Sequence, residues 1–208
     1  MTNYKNPEVR ILFSDLLFYG ESKKLTNINN EQLNYIEFQE KERAYRQAWS
    51  EKSEKILTGM HSIYGLQFYK PVIDVTLATG FIPKSKPLII NFKYEPDEFV
   101  DVLSHELLHN IFTDNQYIQH GSNKNNLLLL WNEIIGKQDD RSVLIHIFVH
   151  SGLKAIYLDI LNEPYRLERD IEQCQQLPIA YRKAWDFVEN NDYQDINLQI
   201  RKLYKKLA

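Results

Sequence analysis

The segment Ser104-His105-Glu106-Leu107-Leu108-His109 constrains this chain more than any other. It lies in a stretch that reads as helix from Glu95-Pro96-Asp97-Glu98 onward, where a proline and acids suit a helix first turn. Residues four apart stand on one helix face, about one turn from each other, so the imidazoles of His105 and His109 can reach one ion. Glu106 projects to the side of that face, where it can reach water at the ion without being a ligand. The pattern is that of a zinc hydrolase, with Glu106 as general base and Zn2+ as the expected cofactor.

The flanking residues sharpen this reading. Val100, Leu103, Leu107 and Ile111 line one side of the helix, and Val102 and Phe112 flank the histidines on the other. A helix apolar on two sides is buried between layers, and buried polar groups need partners. A metal supplies them. The alternative is a pair of core histidines bonded to carbonyls, with Glu106 in a salt bridge.

Composition bounds the rest. The chain has 208 residues and a formal net charge of −3, which gives no electrostatic case for nucleic acid. Cys174 is the only cysteine, so a disulfide framework and a cysteine-based zinc knuckle are both excluded. The start, Met1 to Pro7, lacks the basic opening and apolar core of a signal peptide. Apolar runs such as Leu127 to Trp131 are too short to span a membrane. The expectation is a cytoplasmic protein that engages neither nucleic acid nor membrane.

Residues 8–19 are apolar-rich and ambiguous between strand and short helix, and residues 31–62 read as a long amphipathic helix. Ile73–Ala78 and Leu88–Tyr94 read as strands, the second alternating Leu88, Ile90, Phe92 and Tyr94 on one side. After the motif helix, helices are expected at about 124–136, 140–161, Pro164 to Gln176, Pro178 to Asn190 and Tyr193 to Leu207. One domain over 1–208 is expected, with a core at about 70–160 and a helical extension over 162–208.

A catalytic zinc takes three protein ligands and keeps one open position. Glu133, 24 residues after His109, is the first candidate for the third, because a lone carboxylate in the apolar stretch Leu127 to Ile135 needs a partner. His146 and His150 share a helical stripe with Leu153, Tyr157 and Ile160. One could complete the metal site, donate to an oxyanion, or be a satisfied core histidine. A metzincin arrangement is absent, since Phe112 stands where its turn needs glycine and Asn115 where it needs histidine. His120 reads as a loop residue, and His61 has no metal-type neighbour.

A strand, a helix bearing H-E-x-x-H and a later helix with Asn132-Glu133 resemble the gluzincin group of metallopeptidases, the thermolysin-like zincins. The resemblance covers about residues 70–160. It implies His105, His109 and Glu133 as zinc ligands, Glu106 as the base that activates water, and a peptide or protein substrate. It implies further that Leu88–Tyr94 is the sheet edge along which an extended peptide lies. His146, His150 or Tyr157 would be the oxyanion donor, and Asp114 or Asp139 the acid supporting a zinc-bound histidine. The implied fold is α+β and mostly helical: a minimal zincin-like core with a small antiparallel or mixed sheet, the motif helix and C-terminal helices. Two other readings stay open. One is a non-catalytic metal-binding or peptide-sensing regulator on the same fold, and the other a helical bundle in which His105, His109, Glu133, His146 and His150 converge on metal.

Overall fold

The computed structural model describes residues 5–13, 35–115, 127–136 and 140–207. Within them the chain is α+β and mostly helical, with seven α-helices and a small mixed sheet of four strands. The order is β1 (Glu8–Phe13), α1 (Tyr35–Tyr64), β2 (Val72–Ala78), β3 (Lys84–Ser85), β4 (Leu88–Asn91), α2 (Pro96–Asp114), α3 (Leu127–Ile135), α4 (Arg141–Ala155), α5 (Pro164–Cys174), α6 (Ile179–Asn190) and α7 (Tyr193–Leu207). A single π-helical turn, Ile156–Ile160, extends α4.

The chain divides into two compact units. The first takes residues up to Glu54 together with Lys70–Asn110, and the second takes Lys55–Tyr69 and Ile111 onward. The division falls within α1 and α2.

In the first unit the sheet order is β1-β2-β4-β3. β1 lies parallel to β2, with Glu8 opposite Val72 and Phe13 opposite Leu77, so residues 8–13 of the ambiguous segment form a strand, while 14–19 lie outside the described residues. β2 buries Ile73, Val75 and Leu77 at alternate positions, as a half-buried strand should. β4 runs parallel to β2 and antiparallel to the short β3. It is therefore an inner strand, and the expectation that Leu88–Tyr94 forms the free sheet edge is overturned. The strand also stops three residues early. The Asn91 side chain accepts from the Lys93 amide at 3.0 Å and donates to the Phe81 carbonyl at 2.8 Å, a local turn that takes the backbone out of the ladder. The Tyr45 hydroxyl of α1 then lies 2.6 Å from the Tyr94 carbonyl and 3.0 Å from the Phe92 carbonyl, its single proton shared between them. Its ring stacks on Phe99 at 4.3 Å between centroids, and Phe92 stacks on Phe38 at the same distance. These aromatics tie α1 to the chain that leads into α2.

In the second unit α4 is the central helix. It packs against α3, α6 and α7, and α5 packs against α6. Asp140 caps α4, accepting from the amides of Ser142 and Val143. The stretch Arg141–Ile160 is long and apolar enough to cross a membrane by length and composition, which the short runs of the sequence did not suggest. Yet 72% of its most apolar window is buried inside the protein, as befits a core helix. The stretch ends through the bonds Leu161 N–H to Ile156 carbonyl and Glu163 N–H to Tyr157 carbonyl. Asn162, at φ 56°, takes the left-handed turn, and Pro164 starts α5.

Candidate metal centre

The motif helix forms for local reasons. Pro96 opens α2, Asp97 and Glu98 occupy its first turn, and the Glu98 carboxylate accepts from the Glu95 amide at 3.0 Å. That is half of a capping box. The helix is held from both sides: Phe99, Val100, Leu103, Leu107, Leu108 and Ile111 are fully buried.

Within this frame His105 and His109 are half-buried, and their Nε2 atoms stand 3.1 Å apart. The rings are inclined at 61° with centroids 4.9 Å apart. Two nitrogens about 2.0–2.1 Å from a common ion, at a near-tetrahedral angle, lie roughly 3.3 Å apart. The pair therefore fits two positions of a zinc coordination shell. Glu106 is 6% exposed, and burial pushes its carboxyl pKa up to about 8. A buried carboxylate also raises the neighbouring Tyr94 phenol, after the effect of that phenol's own burial.

The other expected residues fall in the second unit. Glu133 is exposed on α3, while Trp131 is buried. The argument that a carboxylate there is buried and needs a metal is thereby overturned, because the residue faces solvent. His146, His150 and Tyr157 are buried, on a helix buried over most of its surface. His146 Nδ1 contacts the Ser142 carbonyl at 2.7 Å, its ring lies 4.0 Å from that of Tyr181, and burial lowers its pKa. The His150 ring stacks on Trp185 at 4.4 Å and 15°. Tyr157 is buried and donates its hydroxyl to Asp170 at 3.0 Å, within the second unit. Asp114 accepts from the Tyr69 amide at 3.0 Å, and His61 Nδ1 meets the Leu66 carbonyl at 2.8 Å. Asp139 and His120 lie outside the described residues.

Sequence reasoning missed Asp170 and Cys174, which join His150 in the second unit. Their signal was present. Arg166, Asp170 and Cys174 recur every four residues on α5, the helical spacing of a buried stripe in an otherwise polar helix.

Comparison of the chain with protein-family models, with curated proteins and with solved structures returned no match.

Proposed function

We propose that this chain is a zinc-dependent hydrolase of peptide bonds, of gluzincin-like type, built on α2. The observation that carries the reading is the His105–His109 pair, whose Nε2 atoms lie 3.1 Å apart on a helix buried along both flanks. His105 and His109 would hold the ion, which when bound lowers the pKa of water and polarises a carbonyl. Glu106 takes the proton of the attacking water and returns it to the leaving amine, so one residue serves as base and then as acid. The buried helix flanks hold these three side chains in fixed register and spare them the cost of ordering during turnover. The reading needs neither Tyr157 nor a free sheet edge. Glu133, exposed on α3, is the third ligand that the resemblance implies.

The test is hydrolysis of a mixed peptide library by the zinc-loaded protein, with Glu106→Gln beside it. Cleavage by the wild type, and a variant that keeps its zinc but loses roughly 10²–10⁴-fold in rate, supports the proposal. Equal turnover in both removes Glu106 as the base. Zinc binding with no cleavage in either points to a non-catalytic metal protein.

A further inference from the structure

We propose that the second unit carries a metal site of its own, separate from the motif helix, in which a zinc-class ion is held by His150, Asp170 and Cys174. Each residue offers one ligand atom, and the three atoms all lie within 4.8 Å of one another. The donors come from two helices. His150 projects from α4, while Asp170 and Cys174 stand one turn apart on one face of α5.

The Cys174–Asp170 contact is the metal-free form of this site. Cys174 Sγ donates its hydrogen to Asp170 Oδ1 at 3.3 Å, so a proton lies between sulfur and oxygen where the ion would sit. On binding, the S–H bond breaks, a sulfur–metal bond forms, and the proton leaves to solvent, which couples affinity to pH in the usual way for thiolate ligands. A thiolate, an imidazole and a carboxylate together select a borderline-soft ion such as Zn2+ or Co2+ over Mg2+ and Ca2+, which prefer oxygen.

The surroundings orient the donors as metal ligands are usually oriented. Tyr157 donates to Asp170 Oδ2 at 3.0 Å and Trp185 Nε1 donates to Oδ1 at 3.2 Å. The indole of Trp185 also stacks on His150, fixing the plane of the imidazole. His150 and Cys174 are buried and the Asp170 carboxylate points inward onto buried partners. Three protein donors leave a fourth position for a water molecule, and the ion would fasten α5 to α4 beside the π turn that carries Tyr157.

Cobalt titration of the full-length, metal-free protein tests this. Cys174 is the only thiol in the chain, so a thiolate-to-cobalt charge-transfer band reports this site and cannot arise from His105 and His109. The expected result is a band that saturates and persists in the His105→Ala/His109→Ala double variant. It should vanish in Cys174→Ser and fall sharply in Asp170→Asn. Absence of the band in folded wild type, whether cobalt is added before or after refolding, overturns the proposal. So does a band that survives unchanged in both Asp170→Asn and His150→Ala, which would mean that the thiol binds alone. Because the double variant lacks the motif ligands, failure here is distinct from failure of the hydrolase reading.

Discussion

His105 and His109 present their Nε2 atoms 3.1 Å apart across a single turn of α2. The helix that carries them is anchored by Phe99, Val100, Leu103, Leu107 and Leu108 rather than by the histidines, which are half-buried. Stability and metal binding should therefore separate. His105→Ala is expected to keep the helix content of the wild type by circular dichroism and to lose only about 1 kcal/mol or less in denaturant unfolding of the metal-free protein. Peptide hydrolysis should be abolished. A variant that unfolds would place His105 in the core scaffold instead.

Tyr45 closes the break after β4 by sharing its hydroxyl proton between two backbone carbonyls. Tyr45→Phe keeps the ring stack and removes this shared bond, so it should cost roughly 1–3 kcal/mol at neutral pH. Burial, followed by the charges of Glu95 and Glu98, raises the Tyr45 phenol above its ordinary value. The unfolded chain releases this proton from about pH 10 upward while the folded chain retains it, so folding loses free energy as pH rises there. The wild type should thus lose its advantage over Tyr45→Phe above about pH 10. Urea midpoints of the two proteins from pH 7 to 11 check this.

Asn162 has φ 56° between the π turn and Pro164. Asparagine tolerates the left-handed region and glycine does so freely, but a β-branched residue does not. Asn162→Val is expected to cost about 1–2 kcal/mol, and Asn162→Gly to be nearly neutral. Thermal unfolding of both distinguishes backbone strain from a lost side-chain contact, since the latter would make the two variants similar.

The Asp140 carboxylate caps α4, the helix at the centre of the second unit, by accepting from two amides. Asp140→Ala should destabilise by roughly 0.5–2 kcal/mol, and Asp140→Asn by much less. Equal losses would assign the effect to charge rather than to capping.

Much of this was legible because its causes are local. Pro96, two acids and apolar residues on both flanks specify α2, and the stripe His146, His150, Tyr157 proved to be buried. The segment Glu8–Phe13 was ambiguous because its partner, Val72–Leu77, lies some sixty residues away and supplies the ladder that makes it a strand. β4 was drawn too long because apolar alternation continues through Phe92, while an asparagine turn and a distant tyrosine take over the backbone. Glu133 was expected to be buried because the apolar character of a short helix was averaged over all its faces. Two residues beyond buried Trp131, it is about 200° further round the axis, on the opposite face. The meeting of His150 with Asp170 and Cys174 depends on how α5 docks, which no local pattern encodes.

The most direct measurement is zinc content, by inductively coupled plasma mass spectrometry, of desalted wild type and of the His105→Ala/His109→Ala double variant after equal exposure to zinc. Glu133→Ala and His146→Ala are run alongside to identify the third ligand. A fall of about one zinc per chain in the double variant, beyond any ion held through Cys174, is the predicted result. Equal zinc in the two proteins would contradict the account, and the H-E-x-x-H segment would then be a feature of a helical core and nothing more.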